Sequence, residues 1–380
     1  MLEDTYAHSP LEKMFEKADV YGVGYDERRA SRKPVRLGII GCGGVALSKH
    51  IPAILRLKTI WEPVELRAIT RRNETVGKHT EEMYGCTWYS DHEKMLAKEE
   101  LDGVLVLGPD ELHAEHTIAS LEAGCPVLVE KPITRALVDS ERMCRVADQR
   151  HLNLMTVSNK RYSPPYRRAR RFVTEGPVKN PAMFVGKFNL GYEYVDLLEQ
   201  GTIHLFDLTR YFMGDVAEVS AVGVNKYDRN RRHYPFDNAI ISVRFSSGSV
   251  GALYTSSTAL SLKPWERVEI YAEKNWLAVE DQHELFLYDS EPGPTKSWRA
   301  VMPNTLIFDE EFGGFMGLIE NFLQVIRGEE EPLVTGWDGH AAYELAVAAH
   351  LALKRGEPVS LPLDYEDADA ECRAWLHSSA

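Results

Sequence analysis

Cysteine is scarce in this sequence: there are five in 380 residues, an odd number, scattered and never paired as Cys-x-x-Cys. That pattern speaks against a disulfide framework, offers no zinc site and so predicts no metal, and fits reduced thiols in a cytoplasmic protein. Long apolar runs are also missing, since nothing approaches the about 18 residues of a membrane span, and no membrane insertion is expected. Positive charge is in deficit, with 44 Lys and Arg against 57 Asp and Glu and a net charge of -13. Such a balance argues against a sequence-independent nucleic-acid binder, which must neutralise phosphates. There is no internal repeat and no low-complexity tract. The opening Met-Leu-Glu-Asp-Thr-Tyr lacks the basic and apolar regions of a secretion signal. Residues 1–33 read as a polar extension, either a disordered leader or an arm packed on a neighbouring subunit.

What is present begins with Val35 to Ile40 and the pattern Gly41-x-Gly43-x-x-Ala46, leading into Leu-Ser-Lys-His-Ile-Pro-Ala-Ile-Leu. A buried strand, a glycine turn and a helix in that order are what a dinucleotide-binding turn requires. Gly41 permits the tight turn and Gly43 lets a pyrophosphate approach the backbone. Gly44 and Val45 belong to the same turn, and the small Ala46 lets the helix pack against the strand. Amides at the helix start then face the phosphates.

The context supports this. Strands expected at Val64 to Thr70, Leu101 to Leu107, Pro126 to Glu130 and Asn153 to Val157 alternate with helices at Glu74 to Tyr84, Leu112 to Ala123 and Leu137 to His151. Apolar strands alternating with amphipathic helices predict a parallel sheet covered on both faces. Beyond Ser158 strands follow one another: Met183 to Leu190, Glu218 to Val224, Ala239 to Phe245, Val250 to Ser256, Val268 to Ala272 and Leu285 to Tyr288. Their succession predicts a largely antiparallel sheet. Helical spacing returns at Phe315 to Ile326, closed by Gly328, and a last helix capped by Asp338 is expected to run to Arg355. The expected fold is therefore α/β: a Rossmann dinucleotide-binding domain over 34–158, then an α+β domain over 159–380.

The second strand ends Thr70-Arg71-Arg72-Asn73, with no carboxylate where a ribose 2′-hydroxyl would be bound. Arginine there accommodates a 2′-phosphate, so NADP(H) is the expected cofactor, with NAD(H) as the alternative. Arg71 and Arg72 would grip the phosphate and Thr70 would hydrogen-bond it. Glu130-Lys131-Pro132 follows directly on a buried strand, so Lys131 emerges at the carboxyl edge of the sheet, where ligands bind in open α/β folds.

These motifs, with Pro109-Asp-Glu-Leu-His113, Lys160-Arg161-Tyr162, Gly201-Thr-Ile-His-Leu-Phe-Asp207 and Arg355-Gly-Glu-Pro-Val359, resemble the Gfo/Idh/MocA oxidoreductases over about residues 34 to 362. The resemblance implies hydride transfer between nicotinamide C4 and a carbinol carbon of a sugar, cyclitol or related polyol. It implies Lys131 orienting the reacting oxygen, His204 acting as acid or base, and Pro109, His113 and Glu130 beside the nicotinamide. It also implies a homodimer or homotetramer formed through the C-terminal sheet. Family members often carry a carboxylate four residues before the histidine; here Gln200 stands there, with Glu199 next to it. A regular helix would aim Gln200 at substrate or His204, whereas a bulge would bring Glu199 into that role, so both are candidates. Arg161, Tyr162 and Tyr166 contact substrate hydroxyls or brace the domain junction. Tyr192, with Tyr194, Tyr227 and Tyr234, either stacks on a sugar ring or covers that junction. The competing readings are a glycoside hydrolase or lyase that retains its cofactor through transient oxidation, and a non-catalytic cofactor sensor.

Overall fold

The computed structural model describes residues 32–59, 62–190, 196–227, 236–259, 265–289, 292–299 and 313–378. The expectations for residues 1–31 and for Tyr192, Tyr194 and Tyr234 lie outside the described residues.

The first sheet is wholly parallel: β1 (Val35–Ile40), β2 (Val64–Thr70), β3 (Thr87–Tyr89), β4 (Gly103–Val106), β5 (Val127–Val129) and β6 (Leu154–Thr156). Their order is β3-β2-β1-β4-β5-β6, which reverses direction between β1 and β4 and opens a crevice at their carboxyl ends. The helices between them are α1 (Ile51–Thr59), α2 (Glu74–Tyr84), α3 (His92–Lys98), α4 (His113–Glu122) and α5 (Leu137–Arg150). The apolar strands are buried on both faces, as a parallel sheet demands. Sequence reading missed β3, because three half-buried residues at a sheet edge carry no apolar period.

After α6 (Pro164–Thr174) a nine-stranded sheet follows: β7 (Met183–Asn189), β8 (Val216–Val224), β9 (Asn238–Phe245), β10 (Val250–Ser256), β11 (Glu266–Tyr271), β12 (Trp276–Glu280), β13 (Glu284–Tyr288), β14 (Lys296–Arg299) and β15 (Val359–Ser360). All neighbours are antiparallel except β7 with β10. Alternation sets the two faces apart: Ile241 and Val243 of β9 enter the core beneath α7 (Ile203–Met213) and α9 (Gly336–Arg355), whereas Ile240, at 56% exposure, stands on the open face. The strands β12, β14 and β15 were not expected from sequence; β12 is buried at three successive positions, so period-two alternation is absent.

Two details of the last helices differ from expectation. Thr335, not Asp338, is the N-cap of α9, and Asp338 is the third residue of a reciprocal capping box with it. The helix α8 (Phe315–Ile326) lies far along the chain, yet it joins the core of β1, β2 and α1 through Ile319, Phe322 and Leu323. Its contact is close enough that a Cβ on Gly103 of β4 would meet Ile326 Cδ1 at 2.6 Å. Among the described residues no helix is long and apolar enough to cross a membrane.

Candidate active site

The crevice starts at the glycine turn. Gly41 has φ +89°, and a Cβ there would lie 2.3 Å from Gly108 Cα, so the ends of β1 and β4 can approach only without a side chain. Thr70 pins the turn: its hydroxyl accepts from Gly41 N at 3.0 Å and its carbonyl from Cys42 N at 2.8 Å. A Cβ on Gly44 would meet nothing within 4 Å, and one on Gly43 only a carbonyl oxygen at 3.9 Å, leaving an open backbone face at the start of the following helix. That helix passes through a π-turn, Ala46–His50, and Ala46 is fully buried against the sheet. An open, glycine-rich face at a helix start is the cradle that a dinucleotide pyrophosphate fits, so the residues present suit the cofactor predicted from sequence.

At the far end of this trough lie Thr70, Arg71, Arg72 and Asn73. Arg71 also donates to the Cys42 carbonyl, which ties it to the glycine turn. The Asp91 carboxylate shares this end but is engaged as the cap of α3, with Lys94 N at 2.9 Å and Lys94 Nζ at 2.7 Å. Ligand atoms of His92, Glu115 and His116 lie within 4.8 Å of one another, a grouping that cysteine counting could not reveal. Arg71 and Arg72 line the same trough, and their charge opposes a divalent cation there.

Towards the second sheet the trough leads, past Leu107, Gly108 and Pro109, to a cavity of about 540 Å³ lined by Lys131, Gln200 and His204. Glu130 and His113 build its wall. The Glu130 carboxylate accepts from Lys131 N at 2.8 Å and meets His50 Nε2 at 3.0 Å; burial opposes its ionisation, but these partners hold it below the usual carboxylate range. His113 bridges the Pro132 carbonyl at 2.9 Å and the Gly108 carbonyl at 3.0 Å, joining the loops after β5 and β4. Val45 lines the cavity, and the Lys131–Pro132 peptide is cis.

Lys131 Nζ donates to the Gln200 carbonyl at 3.0 Å. Gln200 sits in a second π-turn, Leu197–Thr202, whose first amides are capped by the Asp196 carboxylate at 2.8 and 2.7 Å. The bulge is therefore present, but it acts opposite to expectation. It turns Glu199 away from the cavity towards Tyr343, Arg135 and His350, where burial and Asp196 push its carboxyl up to about 7. Gln200 faces the cavity, yet its amide is committed to Asp110 Oδ2 at 2.7 Å and to Asp196 N at 2.9 Å rather than to His204. His204, one turn on, has its pKa pushed well below the ordinary value by burial and by the charges of Lys131 and Lys160, so its imidazole is neutral.

Two residues weighed as substrate contacts prove to be braces. Arg161 is buried and paired with Asp207 at 2.7 Å and Asp338 at 3.3 Å, joining α7 to α9. The Tyr162 hydroxyl donates to Asn321 Oδ1 at 2.9 Å beneath α8. Their neighbour Lys160 is the one that reaches the cavity. It pairs with Glu266, and its Nζ lies 4.6 Å and 4.7 Å from the Phe188 and Trp265 ring centroids. Sequence reading missed Phe188, Trp265 and Gln282, which belong to separate strands and turns of the second sheet and carry no shared spacing.

Comparison with known proteins gives the family and the fold. The chain is 26% identical over 339 residues to a myo-inositol 2-dehydrogenase of Thermotoga maritima, covering 86% of this chain and 98% of that protein. It is 24% identical over 293 residues to a scyllo-inositol 2-dehydrogenase (NAD(+)) of Bacillus subtilis, covering 72% and 82%. The WlbA dehydrogenase of Bordetella pertussis, solved with NADH and UDP-GlcNAcA, shares the fold with a TM-score of 0.71 and 22% identity over 88% of this chain and all of that one. The family model for oxidoreductases with an NAD-binding Rossmann fold matches residues 35–158, and that for their C-terminal alpha/beta domain matches residues 197–361. With both halves matched in order, the chain belongs to the Gfo/Idh/MocA family of oxidoreductases.

Proposed function

We propose that this enzyme transfers a hydride reversibly between nicotinamide and a secondary alcohol of a sugar or cyclitol, with NADP(H) preferred. The observation that carries the reading is the convergence of Lys131 and His204 on one cavity continuous with the glycine-turn trough. The substrate class follows the relatives named above, which act on inositols. When bound, the dinucleotide supplies the hydride acceptor or donor. The neutral His204 imidazole accepts the hydroxyl proton as the alcohol is oxidised, and returns it in reduction. Lys131 donates a hydrogen bond to the developing alkoxide, its ammonium aimed by the Gln200 carbonyl. Phe188 and Trp265 wall the far side. The open face of the second sheet, with Val222, Ile240 and Tyr254 exposed, is the contact between copies in this reading. Five buried, unbridged cysteines suit a reducing compartment, the cytoplasm.

The test is a screen of inositols, aldoses and anhydrosugars with each cofactor. NADPH is expected to exceed NADH in kcat/KM, and Arg71→Ala with Arg72→Ala should cut the NADPH value by about 100-fold or more, since each charged hydrogen bond contributes about 1.5–3 kcal/mol and two are removed. NADH turnover should change little; an NADH preference in the wild type overturns the cofactor assignment. The pH profile gives a separate check. Because the His204 pKa is lowered, the base form persists on acidification, and the acid limb of kcat/KM for alcohol oxidation should fall below pH 6.5.

A further inference from the structure

The turn between β12 and β13 reaches the cavity with a backbone that its residues do not favour. Asp281 and Gln282 have φ of 51° and 59°, the left-handed region that glycine and asparagine enter at little cost and glutamine does not. Asp281 has a local reason for its conformation. Its carboxylate accepts from Trp265 N at 2.8 Å and Glu266 N at 3.1 Å, and its own amide donates to the Glu266 carbonyl at 3.0 Å, tying the turn to the start of β11. The backbone of Gln282 is set by the hairpin turn, closed by His283 N donating to the Glu280 carbonyl at 3.0 Å, but among the described residues its side chain has no partner comparable to those of Asp281. Its side chain is buried at 7% exposure, and its Oε1 has no hydrogen-bond partner among the described residues.

Buried polar atoms are nearly always paired, and strained non-glycine residues cluster where a ligand is held. Gln282 combines both features at the wall of the cavity that also holds Lys160, Trp265 and His204. The chemistry of the wall narrows what it meets. Lys160 is neutralised by Glu266, so this side offers a neutral carboxamide, with one acceptor and two donors, in place of a net cation. A hydroxyl, itself both donor and acceptor, complements that group; a carboxylate or phosphate finds no unpaired charge in this pair.

We infer that Gln282 is a specificity-determining residue whose carboxamide hydrogen-bonds a substrate hydroxyl other than the one oxidised, on the Lys160 side of the cavity. The inference rests on the polyol reading above and names the residue that discriminates among polyols. Sites built to hydrogen-bond a substrate hydroxyl reject analogues that lack it far more strongly than apolar pockets reject an extra methylene.

The experiment compares the full chain with its Gln282→Leu, Gln282→Asn and Gln282→Gly variants. The probes are myo-inositol, scyllo-inositol, D-glucose and levoglucosan, followed by monodeoxy analogues of whichever is turned over best. Gln282→Leu should raise the polyol KM about tenfold, the loss of one hydrogen bond, with kcat within about twofold and the cofactor KM unmoved. It should also erase the preference for the parent polyol over one monodeoxy analogue. Gln282→Asn, which tolerates the backbone, should retain part of that preference. Gln282→Gly relieves the backbone and should raise the thermal midpoint while losing the preference, a combination that a merely structural glutamine cannot give. Full discrimination retained in the Leu and Gly variants overturns the inference and leaves the polyol reading standing. A wild type that turns over none of the probes overturns the polyol reading and takes this inference with it.

Discussion

Replacing Lys131 by methionine should lower kcat by about a thousandfold while leaving cofactor affinity within a factor of about three. Removing one preorganised donor to a developing oxyanion typically costs 10²- to 10³-fold, about 2.7–4 kcal/mol. Lys131 belongs at the upper end because its ammonium is held at the cavity by the Gln200 carbonyl, beside a neutral His204. Of the other lysines that line the cavity, Lys49 and Lys160, the latter is held by Glu266 and by two aromatic rings. Methionine keeps the aliphatic stem, and the Lys131 amide still donates to Glu130, so the wall of the cofactor trough survives. Stopped-flow or steady-state turnover, paired with a fluorescence titration of NADPH, separates the two effects. Turnover within tenfold of wild type refutes the role of Lys131, and loss of NADPH binding assigns the residue to the cofactor instead.

Asp207→Ala should destabilise the protein by about 3–5 kcal/mol, the usual penalty for leaving one partner of a buried ion pair alone. Arg161 is 5% exposed and Asp207 3% exposed, and the carboxylate binds the guanidinium through both oxygens, at 2.7 and 3.0 Å. Once Asp207 is gone, the charge is left with the 3.3 Å contact to the capping-box residue Asp338, a 3.3 Å hydrogen bond to the Leu333 carbonyl and the face of the Tyr211 ring. The magnitude identifies the mechanism. If the pair were held for attraction alone, removing both charges would cost as much as removing one. Instead the double variant Arg161→Met with Asp207→Leu should recover most of the loss, because the uncompensated charge disappears. Chemical denaturation of the wild type, the single variants Asp207→Leu and Arg161→Met and the double variant measures this cycle; equal destabilisation of single and double variants rules the account out.

The legible part of the sequence was the part set by neighbours along the chain. The glycine spacing at Gly41, Gly43 and Ala46, the strand running into Lys131 and the alternation of apolar strands with helices are local patterns, and the parallel sheet followed from them. Lys131 could be singled out because it follows directly on a buried strand, and His204 through the resemblance to the family motif; the two do line one cavity. Less legible were the contributions of the second sheet. Phe188, Trp265 and Gln282 come from three places whose apposition depends on the pairing of β7, β11 and β12. No short-range rule encodes that pairing.

What the sequence by itself determined, then, is a dinucleotide turn, a two-sheet architecture and the candidate Lys131 at the edge of the first sheet. Only the tertiary structure decided which of two adjacent side chains enters the cavity. At Glu199 and Gln200 the choice is made by a π-turn that Asp196 caps, with Tyr343, Arg135 and His350 drawing the carboxylate inward. At Lys160 and Arg161 it is made by Asp207 and Asp338, contributed by helices far along the chain, which capture the guanidinium and leave the lysine to the cavity. A one-residue change in facing costs nothing in sequence pattern, but the partners that enforce it are tens to hundreds of residues away, so it is resolved only when the chain is folded.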